Sequence, residues 1–533
     1  MKLLSKTVLA SPEVEEIERN DEDRYSLVLK ASSEPATLAK AGISLSFVFE
    51  KDDLIFMNGY QSWTYSPERR PGEYDNSLRF CPKGLDQRYG FSRYSDVFTE
   101  GRPRKGTHRG YTYAYIRRGE RYILFGSLCE ETGFTKITMD PAKNEITFEK
   151  GCTGRLMHPG EEYRALDIYA SEGTDRDVFD GWFAAMGIVP MQARPLMGYT
   201  SWYNHYQKIS RDKILRDLSG MRALERKPDV FQIDDGYEKY VGDWLHVDEN
   251  KFPEGLEPII SKISDEGLCP GIWISPFVCE KESDLYRSHP DWLLIHEGEP
   301  VYAGGNWSGA YALDIYNDGL REYLKECVDH YREMGIKLFK MDFLYAACMY
   351  PREDRTRGEV MEDAMDFLRN ICGDAWILAC GVPLASAFGK VEYCRIGPDV
   401  TLSYDDVPYM RAFHAERPST MHTQRNTVYR RQLDGRAFLN DPDVFVLRDT
   451  NTSLSESQKL TLARINALFG SILFASDDFS EYSEKRREQF SQTDELNLAE
   501  DMKVRVLKHT KGKHVISVRY RLNGNEKEDL FEI

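Results

Sequence analysis

The chain has 533 residues, 41% hydrophobic and 29% charged, the composition of a globular protein too long for a single core. At roughly 150 residues per domain it holds about three. Its formal net charge of −17 repels phosphate backbones, which argues against nucleic acid as a partner.

The first residues, Met1 to Val8, form a short apolar patch interrupted by Lys2 and Lys6. No signal-type apolar core follows, and no run approaches the length of a membrane span, so no membrane partner is expected. The ten cysteines have no CxxC pairing and several sit in apolar runs, as at Cys269 and Cys394. That pattern predicts reduced, buried thiols in a cytoplasmic enzyme, with neither a disulfide framework nor a zinc site.

Residues 1–190 hold short alternating segments such as Ile43-Ser44-Leu45-Ser46-Phe47 and Arg121-Tyr122-Ile123-Leu124-Phe125. Period-two patterning punctuated by turns predicts an antiparallel β-sandwich. Within it, Trp63 ends the turn-like segment Asn58-Gly59-Tyr60-Gln61-Ser62, where a large indole has no evident core to fill.

Over 191–480 short apolar runs alternate with amphipathic helices. Strands are expected at 196–202, 229–235, 269–277, 338–343, 376–381, 391–399, 437–441 and 471–477. Helices are clearest at 209–224, 317–334 and 359–371. Eight strands alternating with helices predict an α/β fold, a (β/α)8 TIM barrel. A doubly wound sheet is the alternative, but no glycine-rich phosphate turn follows any strand. Residues 481–533 return to strand character in Val504-Arg505-Val506-Leu507 and His514-Val515-Ile516, which predicts a small closing β-domain.

In such a barrel the working side chains stand at the C-terminal strand ends. Alternation through Leu338–Phe343 sends Phe339, Met341 and Phe343 toward the helices and Lys340 with Asp342 into the interior. In Tyr393–Asp399 the same rule groups Arg395, Gly397 and Asp399. The two carboxylates lie 399 − 342 = 57 residues apart, two βα units, and a converging pair is the minimum equipment for glycoside hydrolysis. Asp234 and Asp235 end another strand; they suit capture of neighbouring hydroxyls, though Asp-Gly is also a turn signal. His205 follows the first strand and can serve either substrate or structure. No HExxH helix, ligand-like histidine spacing or GxSxG elbow appears, so neither a metal nor a cofactor is expected.

Taken together, Gly198-Tyr199-Thr200-Ser201-Trp202, Gln232-Ile233-Asp234-Asp235-Gly236-Tyr237, Lys340-Met341-Asp342-Phe343, Cys380-Gly381 and Arg395-Ile396-Gly397-Pro398-Asp399 resemble glycoside hydrolase family 36, the bacterial α-galactosidases. The resemblance implies a retaining exo-α-galactosidase acting on small oligosaccharides of the melibiose or raffinose type. By the same resemblance Asp342 is the nucleophile and Asp399 the acid/base. Lys340 would bind ring hydroxyls, Arg395 the 2-hydroxyl side, and Asp234 with Asp235 the 4- and 6-hydroxyls. Trp202 would line the sugar pocket, Trp273 and Cys380 would shape its walls, and Trp63 would reach in from the N-terminal domain. An α-N-acetylgalactosaminidase, a transglycosylase and a non-catalytic sugar binder remain the alternatives.

Overall fold

Two antiparallel sheets make up the N-terminal third of the computed structural model, which describes residues 2–21, 23–73, 82–414, 416–510 and 513–533. One sheet runs in the order Lys2–Ser11, Ala36–Ser46, Glu145–Gly151, Thr135–Asp140, His108–Tyr111. The other begins Glu15–Asn20, Arg24–Lys30, Glu162–Gly173, Arg121–Ser127 and ends at Leu54–Met57 and Glu68–Arg69. Alternate residues such as Ile43, Phe125, Ile137, Ile146 and Phe148 close between the sheets as a dry core. The second sheet is apolar on its other pleat as well, through Phe56, Tyr113, Tyr115 and Leu124.

The helix Asp175–Met186 leaves this sandwich. Its first turn is fixed by a capping box between Thr174 and Asp177. Trp182 on its inner face is fully buried and donates its indole N–H to the Ser127 carbonyl at 3.0 Å. Through Trp182, Tyr113 and Phe56 one apolar cluster continues from the sandwich into the barrel.

All eight expected barrel strands form, at Leu196–Thr200, Val230–Ile233, Cys269–Ile274, Leu338–Met341, Trp376–Ala379, Tyr393–Arg395, Leu439–Asp441 and Ile472–Ala475. Every pairing along the sheet is parallel, and strand one lies between strands two and eight. The seventh strand is broken. Leu439–Asp441 pairs with strand six, Pro442 and Asp443 interrupt it, and Val444–Phe445 pairs instead with strand eight. Proline offers no ladder N–H, and Asp443 has φ 69°, so the chain cannot stay in one ladder there.

The clearest expected helices appear as Arg211–Gly220, Asp318–Glu333 and Arg357–Cys372. The last starts on a Thr356–Glu359 capping box and buries Val360, Met361, Ala364, Met365 and Leu368 along one stripe. Beyond residue 481 the chain first adds a helix, Glu484–Leu496, and then the sheet of Glu500–Thr510, Lys513–Leu522 and Asn525–Glu532. No helix among the described residues is long and apolar enough to cross a membrane.

Candidate active site

The parity argument holds as far as Asp342. Lys340 and Asp342 share the barrel interior, and Lys340 Nζ lies 3.0 Å from Asp234 Oδ2 and 4.0 Å from Asp342 Oδ2. Burial lowers the pKa of the Lys340 ammonium, but Asp234 and Asp342 outweigh it and the net shift is upward. The Asp342 carboxylate is held from two sides. Its Oδ2 accepts the Trp273 indole N–H at 3.0 Å, and its Oδ1 accepts the backbone N–H of Phe343 at 2.9 Å. Burial raises the Asp342 pKa above the ordinary carboxylate range, with the Lys340 charge opposing and the Asp399 charge adding to the rise.

Past Asp342 the expectation fails. Phe343 does not turn outward to the helices, because the chain leaves the extended conformation there, with φ 55°. Its ring instead meets Trp63 edge-on at 5.1 Å and Trp307 at 5.0 Å. Strand parity applies only while the backbone is pleated.

Asp399 stands two strands further round the mouth. It is about a third exposed and receives Arg395 Nη1 at 2.8 Å. The buried Arg395 guanidinium also meets Asp441 at 2.8 Å through Nε and Asp443 at 3.0 Å through Nη2. One cation thus serves three carboxylates, and Arg395 supports Asp399 from behind.

Asp234 and Asp235 are both a turn and more than a turn. Gly236 has φ 113°, and a Cβ there would lie 2.7 Å from the Gln207 backbone, so the turn requires glycine. Yet both carboxylates are buried. Asp234 Oδ2 accepts from Gln232 at 2.7 Å, Thr200 at 3.1 Å and Lys340. Asp235 Oδ2 accepts from Trp307 at 2.9 Å and Gln207 at 3.2 Å. Burial raises the Asp235 pKa, and the Glu238 carboxyl beside it is pushed well up by burial and by the Asp235 charge.

Trp63 reaches the barrel mouth from the N-terminal domain. Its indole N–H donates to Cys380 Sγ at 3.2 Å, so the proton the sequence offers to a sugar hydroxyl is already engaged. Gly381 lets the ring approach, since a Cβ there would lie 2.9 Å from it. Cys380 in turn sits beside Asp342, and burial followed by the Asp342 charge pushes its thiol well up. Trp202 stands at the end of strand one, half-buried, with its ring edge-on to Tyr206 at 5.2 Å. His205 serves structure: its ring meets the buried Asp217 at 2.6 Å.

Sequence reasoning passed over Trp307 and Asp443. Trp307 lies in Gly304-Gly305-Asn306-Trp307-Ser308-Gly309, again a large indole among turn residues, the same signal that marked Trp63. Its φ of 54° aims the ring into the site, 6.0 Å from that of Trp273. The loop is clamped by the N-terminal domain, where Tyr94 donates to Asn306 Oδ1 and accepts from the Gly305 N–H.

A buried, doubly hydrogen-bonded carboxylate beside a lysine, with a second, solvent-reached carboxyl held by arginine, can perform nucleophilic attack assisted by proton transfer. Against this geometry stand the relatives. Residues 190–363 match the Melibiase family model. Alpha-galactosidase AgaA of Geobacillus stearothermophilus is 26% identical over 239 residues, covering 42% of this chain and 31% of that protein. The alpha-galactosidase of Escherichia coli is 36% identical over 105 residues, covering 18% and 14%. The chain thus spans less than a third of the length of these relatives. Among solved structures, the Thermus thermophilus alpha-galactosidase TtGalA superposes with TM-score 0.73 at 24% identity, over 96% of this chain and 98% of that one. The GH36 alpha-galactosidase AgaA superposes with TM-score 0.59 at 12% identity, over 98% and 79%. Residues 190–363 are thus similar to the Melibiase family, in a chain that shares the fold of the GH36 alpha-galactosidase AgaA along nearly its whole length.

Proposed function

We propose that this protein is a retaining, exo-acting α-galactosidase that removes terminal α-D-galactosyl residues from small oligosaccharides. The carrying observation is the Asp342 carboxylate, buried against Lys340 and fixed by Trp273, with Asp399 held across the mouth by Arg395. In the first step Asp342 forms a bond to the anomeric carbon while the bond to the leaving oxygen breaks, and that oxygen takes the proton of Asp399. In the second, water gives a proton to Asp399, attacks the same carbon and releases Asp342. Two inversions leave the freed galactose in the α configuration.

Asp234 and Asp235 present buried acceptors to the 4- and 6-hydroxyls, and Lys340 donates to the ring hydroxyls between them and the nucleophile. Trp63, Trp202, Trp273, Trp307 and Phe343 supply the apolar walls against which a pyranose face can pack. Solved complexes of TtGalA contain p-nitrophenyl alpha-D-galactopyranoside or stachyose, which makes both natural test substrates here. A cytoplasmic location is supported by the nine cysteines in the described residues, all free and eight of them buried.

The test compares leaving groups. Asp399→Ala should lose at least a hundredfold more kcat/KM on raffinose than on a dinitrophenyl α-galactoside, which needs no proton. Equal losses on both would remove Asp399 from the acid role. The first-formed galactose, followed by NMR, should be the α anomer; early β-galactose would mean inversion. A panel of galacto, gluco, xylo and N-acetylgalactosamino aryl α-glycosides decides the sugar.

Trp307→Phe keeps the ring wall but deletes the N–H to Asp235. A hydrogen bond to a charged acceptor is worth about 1.5–3 kcal/mol, so kcat/KM on galactosides should fall roughly tenfold or more. The expected loss is smaller on xylosides, which lack the hydroxymethyl group. A uniform loss across sugars would make Trp307 a packing residue.

A further inference from the structure

The break in strand seven places a buried carboxylate that the reaction as described leaves without a task. Asp443 is fully buried in a left-handed conformation, which its own N–H stabilises by donating to Asp441 Oδ1 at 2.8 Å. Its Oδ2 accepts the Tyr203 hydroxyl from beyond strand one and the Val400 backbone N–H at 2.8 Å. Val400 directly follows Asp399. Its Oδ1 lies 3.0 Å from Arg395 Nη2 but off the N–H direction, so this contact is an ion pair without a formed hydrogen bond.

Asp443 thus holds Asp399 twice, once through the next peptide and once through the arginine they share. We propose that Asp443 is a positioning residue for Asp399, aiming its carboxyl at the leaving oxygen. This role rests on the acid/base assignment made above.

Asp441 and Asp443 share the Arg395 cation with Asp399, so the guanidinium that holds Asp399 is itself held from the far side. Burial raises Asp443 to about 7, with Arg395 opposing and the Asp399 and Asp441 charges adding. Around Asp443 stand Tyr203 and Tyr206 from beyond strand one, Arg395 and Asp399 from strand six and Asp441 from strand seven. Arg448 lies behind them, donating to the Tyr203 carbonyl at 2.8 Å and paired with Asp477. Tyr203 and Tyr206 are neutral in the working range because burial raises both hydroxyls.

Asp443→Asn keeps the volume and the acceptor for Tyr203 and Val400 but turns an amide NH2 toward Arg395 Nη2 in place of the carboxylate, so the arginine that holds Asp399 loses one of its two other partners. The Asp399 carboxyl then loses part of its aim at the leaving oxygen. At neutral pH the rate on raffinose should fall several-fold, while that on the dinitrophenyl galactoside stays within twofold of wild type. Tyr203→Phe, which removes one donor to the Asp443 carboxylate, should lower the raffinose rate by less and likewise spare the dinitrophenyl galactoside. An unchanged raffinose rate in both variants, or equal losses on both substrates, would reduce Asp443 to a structural residue. A wild-type protein that hydrolyses no α-galactoside would overturn the function and this role together, and that control separates the two failures.

Discussion

Replacing Asp342 by glycine should cost about 10⁵-fold or more in kcat, roughly 7 kcal/mol of barrier, with the fold intact. The side chain is held by Trp273 and by its own next peptide. Removing a buried carboxylate beside a lysine leaves Lys340 paired to Asp234 at 3.0 Å, so the cation is not orphaned and the protein should remain soluble. Azide with an activated aryl α-galactoside should restore part of the turnover as β-galactosyl azide, because the cavity left by the carboxylate admits a small anion on the face opposite the leaving group. Near-normal hydrolysis by a clean Asp342→Gly preparation would end the nucleophile assignment. The pH profile carries a second reading of the same group. Asp342 must be ionised to attack, and burial raises its pKa, so the acid limb of kcat/KM should lie above the ordinary carboxylate value of about 3.9. Lys340 opposes that rise. Lys340→Met should therefore push the acid limb to higher pH, whereas a shift to lower pH would contradict the pairing.

The second large effect is expected far from the chemistry. Arg430 is fully buried, and its acceptors are neutral: Asn58 Oδ1 at 3.0 Å, the Ser62 carbonyl at 2.6 Å, the Ile396 carbonyl at 2.8 Å, Ser66 Oγ at 2.9 Å and the Gln61 carbonyl at 3.4 Å. Burial lowers its pKa to about 10, so it is still charged at neutral pH. Four of the five acceptors belong to the loop that carries Trp63, and the fifth belongs to the segment that leads to Asp399. Arg430→Ala strands these groups at about 1–3 kcal/mol for each that water cannot reach. A loss of about 3–5 kcal/mol in chemical denaturation is expected, together with a fall in kcat/KM as the Trp63 loop loosens. Arg430→Lys should not rescue it, since an ammonium cannot serve a planar fan of acceptors. A variant with wild-type stability would show that the loop is fixed by Ser62, which pairs with Val382 and Gly381, and not by the arginine.

How far the sequence could be read depended on whether local chemistry matched the global role. Apolar runs between amphipathic helices located every barrel strand, and parity placed Lys340 and Asp342 together because that strand is pleated to its end. Phe343 was misplaced one residue later, where the pleat stops. Asp443 was missed because Asp441-Pro442-Asp443 reads as a turn, and a turn carboxylate is normally solvated. Arg430 and Arg431, just past the helix Thr420–Tyr429, carry no local sign of burial, yet both reach the N-terminal segments, Arg430 to Ser62 and Arg431 to Asp175. Trp307 carried the signal already used for Trp63, a bulky indole among glycines. These residues owe their roles to long-range packing, which no local period encodes.

The divided seventh strand gives the barrel a seam. Leu439–Asp441 belongs to one side of it and Val444–Phe445 to the other, so the ring closes through the peptide units around Asp443. The group that closes the ring is also the group that grips Val400 and Arg395. A displacement of the chain at this seam would therefore carry the supports of the Asp399 carboxyl with it, and by reciprocity a ligand that ordered that carboxyl would stabilise the closed ring.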